Sequence, residues 1–234
     1  MEKYTAIVLA AGMGKRMNSS VPKQYLTLAD KPVLYYALKA FEESDVTDII
    51  LVVGEGEVSY CREEIVEKYA LRKISAVIEG GKERYYSVYE GLKVAKGADY
   101  VLIHDGARPL VTGEIIRRAI QTVLQEQACV VGMPVKDTIK IIGEDGRAEA
   151  TPDRSRLWQI QTPQVFSYDM IFDAYEWVIG QEDIAVTDDA MVLECATGRK
   201  VKVIEGSYEN IKITTPEDLL IAETYLKQRM SGEP

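Results

Sequence analysis

The chain has 234 residues, enough for one large α/β domain, alone or with a small appendage, and too few for two equal domains. Hydrophobic residues make up 47% and charged residues 28%, ordinary for a globular chain and unlike a disordered or membrane-spanning one. A formal net charge of -9 argues against a general nucleic-acid or anionic-membrane binder, so any anionic ligand must be met by local positive charge. Cys61, Cys129 and Cys195 are odd in number and lack CxxC spacing, which suggests neither a disulfide framework nor a zinc site. The start, MEKYTAIVLAAG, enters an apolar strand directly without a signal-peptide pattern, and a cytoplasmic location is expected.

In chain order, residues 5–10 (TAIVLA) predict a buried strand, followed by the basic, glycine-rich stretch GMGKRMNSSVPKQ. A dinucleotide fingerprint fails there, because the third glycine position after Gly12 and Gly14 is Met17. A Walker A loop fails too, for want of the upstream glycine and the hydroxyl after Lys15. Two readings remain. In one, Gly12 and Gly14 let the backbone approach a nucleotide while Arg16 and Lys23 reach its phosphates; in the other, this is a βα turn with solvated bases.

Apolar spacing then predicts helices over 32–43, 58–69, 83–95 and 113–125, alternating with strands over 48–53, 74–78, 100–105 and 129–135. That alternation is the mark of a mostly parallel, Rossmann-like α/β sheet flanked by helices. EGGKERYYSV puts Gly80, Gly81 and Ser87 after the third strand, either at a ligand or simply in a turn before a helix. HDGARP follows the fourth strand, and open α/β sheets bind ligands at the carboxyl ends of their strands. Asp105 and Arg108 there suit an anionic, metal-linked substrate, and suit a structural ion pair equally. From 137 to 161 the rhythm breaks: polar and apolar residues alternate around GEDG, which predicts a β-hairpin arm with too little core to stand alone. Such an arm covers a cleft or embraces a second subunit. Near the end, TTPEDLLIAETYLKQ predicts a helix with Thr215 as cap and Pro216 in the first position.

LAAGMGKRM with PKQYL, then GGKERYYSV, HDGARP, DTIK, DRSRLWQIQTPQ, VTDDA and NIK, resemble in that order the motifs of 2-C-methyl-D-erythritol 4-phosphate cytidylyltransferases. They span nearly the whole chain. LAAGxGxRM with a later PK occurs across sugar-nucleotide pyrophosphorylases, so the specificity lies in the ordered set. The resemblance implies a nucleotide-diphospho-sugar transferase type of fold over residues 1–234, with 137–161 as an arm for dimerisation and active-site completion. It implies transfer of CMP from CTP to a polyol phosphate, with Mg²⁺ held mainly through the CTP phosphates.

Carried onto this chain, the family's roles make Arg16 and Lys23 catalytic, stabilising charge at the α-phosphate and the leaving pyrophosphate. Ala10, Ala11, Gly12, Gly14, Gly80, Gly81, Ser87, Asp105, Gly106, Ala107 and Thr162 would contact the nucleotide, with Asp105 also a candidate for metal or hydroxyl contact. Arg108, Thr138, Arg154, Thr187 and Lys212 would hold the acceptor, with Arg154 acting across a homodimer. Plainer readings stand beside these: Thr187 as a helix cap, Lys212 as a solvated strand residue, Thr162 as a conformational partner of Pro163. Lys82 departs from the family's pattern, in which uncharged residues are commoner. His104 is read as structural, since a phosphate nucleophile is already an anion and needs no base. A ribitol 5-phosphate cytidylyltransferase would share PKQ and QTPQ, while the ARP and LW pairs lean toward methylerythritol phosphate. A nucleotide-binding regulator without chemistry would not need both Arg16 and Lys23.

Overall fold

The computed structural model describes residues 2–12, 21–181 and 184–231. Among them the central sheet has seven strands: β1 (Tyr4–Ala10), β4 (Asp48–Val53), β5 (Ile74–Glu79), β6 (Tyr100–Asp105), β7 (Ala128–Pro134), β10 (Trp158–Ser167) and β11 (Lys202–Glu205). Their order is β11-β7-β10-β6-β1-β4-β5, and β10 runs antiparallel to both its neighbours while the other pairings are parallel. Two short ribbons lie outside it, β2 (Thr27–Leu28) with β3 (Lys31–Pro32) and β8 (Ile141–Ile142) with β9 (Ala148–Ala150).

β1 is apolar on both faces because both faces are covered. Ala6, Val8 and Ala10 pack with α1 (Val33–Glu42), α2 (Val58–Cys61, continued by a wider turn over Arg62–Glu67) and α4 (Gly113–Glu126). Ile7 and Leu9 pack with α3 (Arg84–Val94), α5 (Tyr168–Ile179) and α6 (Asp189–Thr197). Leu34, Leu38 and Phe41 of α1 are fully buried, each worth about 1.5–3 kcal/mol. The final helix, α7 (Pro216–Ser231), covers Leu28, Val33, Leu110 and Ile213. The Asp218 carboxylate accepts from the backbone N–H groups of Thr214 and Thr215, tying down the start of α7 where the threonine and proline forecast it.

The sheet order places the functional region. The chain goes from β1 outward through β4 to β5 and then returns to the other side of β1 as β6. The crevice between the carboxyl ends of β1 and β6 is therefore a topological switch point, where open α/β sheets bind ligands. The predicted strands and helices agree with the observed ones to within a few residues, except at two places. β10 begins at Trp158, inside the stretch expected to be arm, and its outer third is exposed while the rest is buried. Alternating polarity cannot tell that half-exposed strand from a free hairpin. Beyond it, α5 and β11 have no counterpart in the sequence reading, and α6 has only the helix start implied by reading Thr187 as a cap. The GEDG turn does close the β8–β9 hairpin: Gly143 N–H donates to Arg147 O at 2.9 Å and Gly146 takes φ +78°. No helix among the described residues is long and apolar enough to cross a membrane.

Candidate active site

β1 ends at Ala10, opposite the end of β6, and the next residues, Ala11 and Gly12, line a cavity of about 310 Å³. Lys23, Gly81, Ser87, Asp105, Ala107 and Lys212 share its walls. A second cavity of about 330 Å³ adjoins it, lined by Arg108, Thr162, Gln164, Thr187 and Asp188. Arg84, Asp105 and Lys212 belong to both, so Asp105 stands on the dividing wall. Both volumes suit small ligands.

Lys23 is aimed by its neighbours. It sits in a single tight turn, Lys23–Tyr25, after Pro22, and the two residues that follow it are buried. Gln24 donates its amide to Ala10 O at 2.5 Å, and the Tyr25 hydroxyl donates to Glu57 at 2.7 Å. With that turn fixed to the end of β1 and to the start of α2, Lys23 extends along the cavity and donates to Ile213 O at 3.0 Å. Gly14 and Arg16 lie outside the described residues.

On the far wall the double glycine has a steric reason. A Cβ on Gly80 would come within 2.5 Å of Ser87 Oγ and 2.8 Å of Ala11 Cβ. Ser87 Oγ accepts from Gly81 N–H at 3.1 Å, so the hydroxyl shapes the loop. Gly80 lines a neighbouring surface cavity with Ala11, Gly12, Gln24 and Lys82. Gly106 works beneath the site, its N–H donating to Leu9 O at 2.8 Å where a Cβ would meet Leu34 at 2.7 Å.

Three distant segments converge on Asp105. The residue is 7% exposed, and its carboxylate meets Lys212 Nζ at 2.8 Å, Arg84 Nε at 3.2 Å and Arg108 Nε at 3.8 Å. Burial alone would raise its pKa; the three cations override burial and hold the carboxyl well below the usual range. Its backbone N–H donates to Thr162 Oγ1 at 3.1 Å, and that oxygen lies 3.0 Å from His104 Nδ1. The other His104 ring nitrogen lies 3.2 Å from Arg108 O, and burial pushes the imidazole pKa down to about 4. His104 is thus a neutral strut, as the sequence suggested.

The loop after β11 crosses over the HDGARP turn. Arg108 Nη1 donates to Asn210 O at 2.8 Å and Ile213 N–H to Ala107 O at 2.8 Å, which brings Lys212, between them in sequence, to Asp105. Lys212 is in a loop, paired with a carboxylate, and not a solvated strand residue. Arg108 Nε is buried without a hydrogen-bond partner, and the residue lines the second cavity. Thr162, expected on the nucleotide side, lines the second cavity, beside the irregularity where the β10–β7 pairing slips between Ile160 and Gln164. Asp188 caps α6 by accepting from Met191 N–H, leaving Thr187 uncommitted as a cap and on the cavity wall. Thr138 and Arg154 line neither cavity; they are exposed on the arm, where Arg154 donates to Lys136 O at 2.7 Å.

Sequence reading passed over Gln24, Arg84, Asp189 and Asn210, all of them in quoted motifs. Arg84 carried a faint signal: a cation in the first turn of a helix opposes the helix dipole and implies an anionic partner. Asp189 carried none, since two acids at a helix start normally face water.

A model of the family 2-C-methyl-D-erythritol 4-phosphate cytidylyltransferase matches residues 4–228. The chain is similar to the 2-C-methyl-D-erythritol 4-phosphate cytidylyltransferase of Lachnoclostridium phytofermentans, 54% identical over 97% of this chain and 98% of the relative. It is similar also to that of Alkaliphilus oremlandii, 50% identical over 99% and 98%. Among solved structures, 4-diphosphocytidyl-2C-methyl-D-erythritol synthase from Anaerococcus prevotii superposes with a TM-score of 0.85 at 34% identity, covering 97% of this chain and 96% of that one.

Proposed function

The chain belongs to the 2-C-methyl-D-erythritol 4-phosphate cytidylyltransferase family, and from that premise we propose that Arg16, Lys23, Asp105, Arg108 and Lys212 form the centre of its active site. The enzyme transfers CMP from CTP to 2-C-methyl-D-erythritol 4-phosphate in isoprenoid biosynthesis. An acceptor phosphate oxygen bonds to the α-phosphorus of CTP while the bond to the bridging oxygen breaks, giving the CDP-alcohol and pyrophosphate.

The obstacle is charge. Two unit charges about 4 Å apart repel by about 1 kcal/mol in water and about 4 at an effective dielectric near 20, and several meet here. The observation that carries the reading is the shared wall: Lys23 on the first cavity, Arg108 on the second, Asp105 and Lys212 on both. CTP occupies the first cavity, its base near Gly80, Gly81 and Ser87 and its triphosphate toward Arg16 and Lys23. The acceptor occupies the second, with Arg108 and Thr187 on its polyol phosphate. Lys212, between the two, steadies the attacking phosphate. Cations already in place need no reorganisation as charge shifts to the leaving pyrophosphate.

The described residues contain no cluster of three or more His, Cys, Asp or Glu able to hold a metal, and Asp105 is already engaged by cations. This donor set suits a Mg²⁺ bound chiefly by phosphate oxygens, with Asp105 as at most one contributing carboxylate. When bound with CTP, magnesium neutralises triphosphate charge.

The arm joins two subunits in this reading. Ile141 and Ile142 on it are 50% and 56% exposed, apolar surface that a second copy would cover, and Thr138 and Arg154 would reach the partner's acceptor cavity. CTP as substrate supports a cytoplasmic location. The test is pyrophosphate release with CTP and Mg²⁺, offering methylerythritol 4-phosphate and ribitol 5-phosphate in parallel. Preference for the first is expected; preference for the second would overturn the acceptor assignment.

A further inference from the structure

Arg84 divides its guanidinium between two carboxylates. Nη1 and Nη2 donate to Oδ1 and Oδ2 of Asp189, both at 2.8 Å, and Nε donates to Oδ1 of Asp105 at 3.2 Å. The two-pronged contact fixes the plane of the guanidinium, and with it the direction of Nε. Asp189 is itself held: it is fully buried at the start of α6, and the buried Tyr175 hydroxyl of α5 donates to its Oδ1 at 2.6 Å. On the opposite side Asp105 Oδ2 takes the Lys212 ammonium at 2.8 Å. Each oxygen of Asp105 thus has its own cation, one anchored to the helical layer and the other facing both cavities.

We propose that Arg84, clamped by Asp189 and Tyr175, is a positioning residue that fixes the Asp105 carboxylate, and through it Lys212, on the wall between the nucleotide and acceptor cavities. The proposal rests on the site reading above. The chemistry favours alignment over mere neutralisation: Asp105 has cationic neighbours in Lys212 and Arg108 as well, whereas the link to α6 and α5 runs through Arg84. A lysine would keep the charge and lose the fork, because an ammonium cannot grip Asp189 with two parallel bonds while directing a third donor at Asp105.

The experiment is a double-mutant cycle in the full-length enzyme with Arg84→Lys, Asp105→Asn and the pair, supported by Tyr175→Phe. Arg84→Lys is expected to lower kcat about tenfold while the KM values for CTP and the polyol phosphate stay within about threefold. In the Asp105→Asn background the same change should alter kcat by less than about threefold, since its route of action is already gone. Tyr175→Phe keeps the buried ring and removes only the donor, so it remains informative if Arg84→Lys does not fold. It should lower kcat about threefold with both KM values held. Equal losses from Arg84→Lys in both backgrounds, or a lowered melting temperature with unchanged kcat, would overturn the positioning role. An Asp105→Asn enzyme with full kcat would instead overturn the site reading, and the proposal with it.

Discussion

Lys212 and Asp105 form an ion pair of 2.8 Å that joins the loop after β11 to the end of β6. The pair leaves the ammonium on the wall of both cavities while the carboxylate stays buried. Lys212→Ala should lower kcat by about 10²- to 10³-fold, the usual cost of losing one preplaced donor to developing charge. The affinity for CTP, measured by isothermal titration, should change by less than about fivefold. A lost affinity with kcat intact would make Lys212 a ground-state binding residue.

Lys23 lies on the first cavity, held by a turn whose flanking Gln24 and Tyr25 bind elsewhere. Replacing it should not disturb that turn. Lys23→Ala and Arg16→Ala are each expected to lower turnover by about 10²-fold or more while CTP still raises the melting temperature. Steady-state kinetics and thermal melts on the same samples check both halves.

Gly80 has no room for a methyl group, which would press on Ser87 Oγ at 2.5 Å and Ala11 Cβ at 2.8 Å. Gly80→Ala should therefore destabilise by about 1–3 kcal/mol and weaken CTP binding by shifting the Ser87 loop. Ser87→Ala makes space while removing the hydrogen bond to Gly81 N–H. Combined with Gly80→Ala it should recover part of the lost stability in urea unfolding.

His104 sets a pH dependence. An unfolded imidazole titrates near 6.5, while burial in the fold holds His104 at about 4. Between those values the unfolded chain binds more protons, so stability falls as pH is lowered through that window. The loss at pH 5 relative to pH 7.5 should be about 2 kcal/mol from this group. Asp105 does not titrate in the window, since Arg84, Lys212 and Arg108 outweigh its burial and hold it well below. Urea unfolding of wild type and His104→Asn at both pH values checks it: the variant should lack this slope.

A chain lacking 140–150 loses the exposed Ile141 and Ile142, and light scattering should find a dimer for the intact chain and a monomer for the shortened one. Activity should fall with it if Arg154 completes the partner's site. An unchanged dimer would remove the arm from the interface.

Much of this protein was legible from local patterns. Continuous apolar runs announced β1, β4 and β6, because strands covered on both faces need apolar residues at every position. Gly12, Gly80 and Asp105 stood at strand ends, so the forecast of strands also located most of the candidate site. β10 was illegible because its exposed and buried segments carry different patterns, and its place between β6 and β7 depends on partners far away in the chain.

The ion pairs show the same division more sharply. That Arg84 begins a helix and Asp189 begins another follows from nearby residues, but nothing nearby says that the two meet at 2.8 Å. Hydrophobic period and turn chemistry act over a few residues, which is why elements and loop positions can be read in one dimension. Charge pairing acts through space, and here the order of the sheet strands and the packing of α3 beside α5 and α6 bring the partners of Asp105 together. Burial then sets the strength of those pairs, turning residues that would be solvated charges on a surface into a fixed electrostatic frame.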